Sequence, residues 1–133
     1  MNTAELRWLA AERLREARAL LNVRCWSGAY YLAGYAVECG LKACIIKYLM
    51  TTDQFSEQCW THDLERLVIL AGLKAKFDAD AAADPNLAAH WNTVNDWSEA
   101  KRYARLTKAE AEGLYHAITD KKHGVFAWIK SHW

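Results

Sequence analysis

The chain has one proline, six glycines and no Gly/Ser-rich stretch, which excludes flexible linkers and long disordered tails. Excess charge is nearly absent too: 17 Lys and Arg stand against 16 Asp and Glu, a formal net charge of +1. No global basic field therefore gathers nucleic acid, and phosphate recognition has to come from a local patch. The four cysteines, Cys25, Cys39, Cys44 and Cys59, form no CxxC pair, and none of the five histidines stands beside them at zinc-ligand spacing. Buried, reduced thiols are expected, and the spacing implies no metal and no cofactor. The opening stretch MNTAELRWLAAERLREARALL mixes charges with apolar residues, whereas a signal peptide needs an unbroken apolar run. A cytoplasmic protein is the expectation. No alternating strand pattern, internal repeat or glycine-rich phosphate loop is present.

What the chain does have is apolar material at helical spacing. Its 133 residues are 53% hydrophobic, enough for one core and too few for two ordinary domains, so residues 1–133 are read as one domain. Over residues 3–23, Leu6, Leu9, Ala10, Leu14, Ala17, Leu20 and Leu21 recur at steps of three and four, predicting an amphipathic helix. Its other face carries Arg7, Glu12, Arg15, Glu16 and Arg18, a solvated surface or a phosphate contact. Residues 27–49 are apolar on nearly every side, with Ser27 placed to cap them. Glu38, Lys42 and Lys47 interrupt that run, so it reads as a buried bundle helix and not a membrane span. Ala29, Ala33, Ala36 and Gly40 form a small-residue ridge for the core or for a dimer.

Local chemistry marks the remaining boundaries. Residues 51–61 read as a loop, residues 62–71 as a short helix capped by Thr61 and ended by Gly72, and LKAKFDADAAA as a weaker helix. Asp84 before Pro85 is a helix start, because aspartate caps free amides and proline lacks the N–H that would be unpaired. Thr107 and Glu110 fit a capping box, predicting a last helix that reaches Lys130 despite Gly113 and Gly124. The expected fold is all-α, an antiparallel up-and-down bundle of four to five helices.

Three polar groupings are candidates for chemistry. Glu38 and Lys42 lie four apart with the acid first, the better order for a helical ion pair, and the Glu38 carboxylate is expected to accept a further bond from Arg102. His62 and Asp63 open a helix, where a carboxylate favours the positive end of the dipole and a histidine titrates near neutrality. Residues 101–108, KRYARLTK, hold Lys101, Arg102, Arg105 and Lys108 around Tyr103 and no acid, which makes them the phosphate-facing candidates. Lys121, Lys122 and His123 form a weaker cluster. The seven tryptophans, including Trp91 and Trp97, are expected in the core rather than as base-stacking platforms.

Three segments together, AYYLAGYAVECGLKA, THDLERL and WSEAKRY, resemble the HEPN family, helical domains often found beside nucleotidyltransferases in prokaryotes. The resemblance covers residues 3–131 and implies an antiparallel bundle, commonly a homodimer, whose cleft hosts nucleotide or RNA. It makes Glu38, Lys42, His62, Asp63, Arg102 and Tyr103 the motif positions. Active ribonuclease members carry an arginine followed, after four to six intervening residues, by a histidine. Here Arg102 and Arg105 are followed at that distance only by residues of TKAEAE, and no other histidine has an arginine at that spacing before it. The resemblance therefore implies a non-nuclease module that binds nucleotide, RNA or a nucleotidyltransferase, in a toxin–antitoxin or phage-defence setting. The alternative is a metal-independent RNA endonuclease in which Arg102 and either His62 or His116 replace the usual pair.

Overall fold

The apolar spacing and the caps together produce an all-helical chain. The computed structural model describes residues 2–49 and 60–133 and contains, among them, seven α-helices, one 3-10 helix and no strand. These are α1 (Thr3–Asn22), α2 (Trp26–Tyr48), α3 (Leu64–Leu70), α4 (Lys74–Ala83), α5 (Pro85–Asn95), the 3-10 helix Glu99–Tyr103, α6 (Lys108–Thr119) and α7 (Val125–Lys130). None of them is long and apolar enough to cross a membrane.

Helix α1 starts in a capping box between Asn2 and Glu5 and buries Leu6, Ala10, Leu14 and Ala17 against α2. The chain then reverses at Arg24, whose φ of 64 is left-handed backbone, and the amide of Cys25 closes on the Leu20 carbonyl at 2.9 Å. Helix α2 follows at once. Thirteen of its residues are buried, among them Ala29, Ala33, Ala36 and Gly40, so the small-residue ridge serves the core of this chain. Gly40 lies under Ile129 of α7, and Gly34 lies under the indole of Trp97 so closely that a Cβ there would overlap the ring.

Two expected caps are used differently. Cys25, not Ser27, precedes α2, and the Ser27 hydroxyl instead accepts the amide of Leu106 at 3.0 Å, tying α2 to the start of α6. Asp63, not Thr61, caps α3 by accepting the Arg66 amide, while Thr61 Oγ1 accepts the amide of Asp63. The other markers act as read: Gly72 ends α3 with φ 71, Asp84 accepts from Asn86 and Leu87 ahead of Pro85, and Thr107 and Glu110 exchange bonds at the start of α6. The expected last helix is broken between Thr119 and Val125, which raises the helix count above five. At the break the Gly124 amide returns to the Asp120 carbonyl at 2.9 Å, so close to the chain that a Cβ would meet the carbonyl oxygens of Asp120 and Ile118.

Packing is densest around α2, which touches α1, α3, α6, α7 and the 3-10 helix. An aromatic group closes one end, with Phe77 against Trp91 and Trp128, each at 5.1 Å between ring centres. Both indoles there are satisfied, Trp91 by Glu65 and Trp128 by Asp80. Trp91 and Trp97 are core residues as expected, whereas Trp8 and Trp60 are exposed, contrary to expectation. Of the cysteines, Cys39 and Cys44 are buried free thiols, each pushed up to about 11 by desolvation, which keeps them protonated and unreactive. Cys25 is exposed, contrary to expectation, because it lies on the reversal outside the α2 core; Cys59 lies outside the described residues.

Two glycines in helix interiors should respond in opposite directions. Gly113→Ala adds a methyl to open space and is expected to stabilise by up to about 1 kcal/mol. Gly34→Ala drives that methyl into Trp97 and is expected to destabilise by about 1–3 kcal/mol, both read from urea denaturation midpoints. A second test concerns Asp84, whose carboxylate also takes a 2.7 Å bond from His123 Nδ1. That bond and the amides of Leu87 and Asn86 hold its carboxyl below the ordinary range against the opposing effect of desolvation. A lowered folded-state value contributes stability above the unfolded-state value, about 3.9, that is lost as pH falls through the folded one. Asp84→Asn keeps a capping side chain but not the charge. Wild type should melt several degrees above this variant at pH 5 and converge on it toward pH 2, measured by thermal denaturation.

Candidate functional site

Tyr31, Tyr35, Glu38 and Lys42 recur along α2 at helical steps and form one stripe on its surface. Glu38, at 1% exposure, is the buried charged residue of the core. Desolvating a carboxylate is costly unless partners replace the water, and both of its oxygens are engaged. Lys42 Nζ donates to Oε2 at 3.0 Å, and His62 Nδ1 lies 2.8 Å from Oε1. His62 reaches α2 because Thr61 and Asp63 fix the backbone around it at the entry to α3. An ionised carboxylate only accepts, so Nδ1 carries the proton and Nε2 is left for solvent or a ligand. The side chain of His62 is half exposed.

Arg102 does not join this group. It pairs with Glu99 at 2.8 Å, lies over the Tyr103 ring at 4.9 Å and sits near Tyr31. The Tyr103 contact is the main reason its guanidinium is held even more firmly protonated than usual. Tyr31 precedes Glu38 by about two turns of helix, roughly 10 Å, so Arg102 occupies the far end of the stripe. His62 takes the place beside Glu38 that Arg102 was expected to fill. Between the two ends, Tyr35 stacks on Tyr31 at 6.3 Å, and burial raises the Tyr35 hydroxyl above its ordinary range.

An open groove of ≈ 580 Å³ adjoins His62. It is lined by Asp63, Glu65, Trp97 and Glu99 among others, and no Lys or Arg lines it. Its acids are tied from behind, Glu65 to Lys74 at 2.7 Å and Glu99 to Arg102, and the Trp97 indole N–H is buried without an acceptor. An acid-lined mouth repels phosphate.

Phosphate chemistry fits a different groove, of ≈ 490 Å³, between the end of α1 and α6. Arg18, Arg24 and Lys108 line it with one acid, Glu112, and with Trp26, Tyr115 and His116. Arg18 lies over the Tyr115 ring and Lys108 over the Trp26 ring, each at 5.9 Å. Cations on aromatic faces present charge and a stacking surface together. The basic run 101–108 is thus divided: Lys108 belongs to this groove, Arg102 and Tyr103 to the α2 stripe, and Lys101 lies within the field of Glu110. Arg105 is exposed without an ion-pair partner among the described residues. Arg18 was among the possible phosphate contacts on the first helix, but Arg24 was not, and their grouping with Lys108 exists only once α1 and α6 pack.

Comparison with family models, curated proteins and solved structures finds no match to this chain.

The Glu38 group makes a testable energetic statement. Removing one partner of a buried pair leaves a charge unpaired, whereas replacing both with apolar groups is often neutral. Lys42→Met is expected to destabilise by roughly 2–4 kcal/mol, and the double change Glu38→Leu with Lys42→Met to recover most of that loss, read from denaturant unfolding.

Proposed function

We propose that the chain is a non-nuclease, HEPN-like helical module that binds a phosphate-bearing ligand, nucleotide or RNA, in the groove between α1 and α6. The observation that carries this reading is the composition of that groove, in which three cations face one acid and two of the cations lie on aromatic rings. Anionic phosphate is attracted to such a surface and a base finds a flat apolar face beside it. The resemblance in AYYLAGYAVECGLKA, THDLERL and WSEAKRY supports the HEPN assignment, and with it a homodimer that partners a nucleotidyltransferase in a toxin–antitoxin or phage-defence system. The engaged state of Arg102 and of His62 Nδ1 favours binding over cleavage, since neither stands beside the other as an acid–base pair.

Titration with a short single-stranded RNA and with ATP, followed by tryptophan fluorescence, tests the reading. Affinity is expected to fall as salt rises, and to weaken about tenfold in Arg18→Ala and in Lys108→Ala, while Arg102→Ala behaves as wild type. RNA incubated with the protein and a chelator should stay intact. Absence of binding, or binding lost only in Arg102→Ala, overturns the groove assignment; cleavage of the RNA overturns the non-nuclease reading.

A further inference from the structure

A separate cluster lies where α5 meets the end of α6. His116 and Asp120 are four residues apart, so the last turn of α6 sets both on one face. His90, from α5, approaches the same point, with Nε2 3.0 Å from Asp120 Oδ2 and its ring edge-on to His116 at 5.4 Å between centres. One donor atom from each of the three residues falls within 4.8 Å of the others.

We propose that His90, His116 and Asp120 bind a divalent first-row transition-metal ion of the Zn²⁺ type. Two imidazoles and one carboxylate are the donors such ions prefer, in contrast to the all-oxygen shells of Mg²⁺ and Ca²⁺. Ligands about 2.0–2.2 Å from one ion are about 3–4 Å from each other, so the donors converge by small side-chain rotations alone. The carboxylate is already oriented: Oδ1 accepts the Lys122 amide at 3.2 Å, and Oδ2 faces His90 at 3.0 Å. Backbone bonds of this kind hold metal-ligating carboxylates in place. On binding, the His90–Asp120 hydrogen bond is exchanged for two coordinate bonds, and the His90 ring changes tautomer, its proton passing from Nε2 to Nδ1 by way of solvent so that a neutral imidazole ligates through Nε2. His116 is exposed and also lines the basic groove, so the remaining coordination position opens to water there. The ion would cross-link α5 to the end of α6.

Calorimetric titration of the full chain with ZnCl₂ tests the site without any nucleotide. The expected result is one ion per chain, a rise in melting temperature, and at least a tenfold loss of affinity in both His116→Ala and Asp120→Asn. His132→Ala and Cys25→Ser serve as controls that should bind as wild type. His116 is exposed, so its variant is expected to keep the helical circular dichroism of wild type and by itself to suffice for a decision. Perturbation of the ring resonances of His90 and His116 by Zn²⁺, and of no other histidine, supports the same three ligands. No saturable binding, or binding that His116→Ala retains in full, overturns the proposal.

Discussion

Helix α2 needs cover on nearly every side, and the rest of the molecule is organised by that need. A helix with an apolar stripe requires one neighbour; one whose buried residues run from Ala29 to Ile45 around its circumference requires several at once. α1 supplies one wall through a short reversal, α6 and α7 a second, and α3 with the 3-10 helix a third. The shortest of these, α3, α7 and the 3-10 helix, do not hold their shape in isolation, since helices of fewer than about 12 residues are marginal in water. Their stability comes from the surface that α2 offers them.

Within that apolar surround, Glu38 is a charge whose satisfaction depends on tertiary structure. Lys42 is available from the same helix, but His62 comes into reach only when α3 has docked and Asp63 has capped it. The carboxylate therefore couples the entry to α3 to the middle of α2. This is a registration device: a slip of α3 along α2 would leave Glu38 with a single partner. The cationic groove is built on the opposite logic. Its arginines are exposed, Arg18 lying over the Tyr115 ring, and they carry charge that the fold does not consume.

What could be read in the sequence follows how local each cause is. The all-helical class, the Asp84–Pro85 start, the Thr107–Glu110 box and the Gly72 stop depend on residues a few positions apart. The pairing of Glu38 with Lys42 is equally local. The break between α6 and α7 was hidden because the apolar stripe continues across it through Ile118, Val125 and Ile129, while the turn is held by backbone bonds at Asp120 and Gly124. Ser27 looked like a cap and serves instead a residue far along the chain, Leu106. Arg102 was expected beside Glu38, but it pairs with Glu99 and lies over Tyr103 within its own 3-10 helix. The cluster of His90, His116 and Asp120 left only one local trace, the four-residue step from His116 to Asp120, because its third member comes from another helix.

The contact between Gly34 and Trp97 constrains how this chain can vary. The indole occupies the volume that any side chain at position 34 would need, so the two positions, distant in the chain, share one allotment of space. A larger residue at 34 is compatible with this packing only beside a smaller one at 97. Such a pair would also loosen the link from α5 to the 3-10 helix, where Trp97 is the buried anchor. In a set of related sequences, these two positions would change together or not at all.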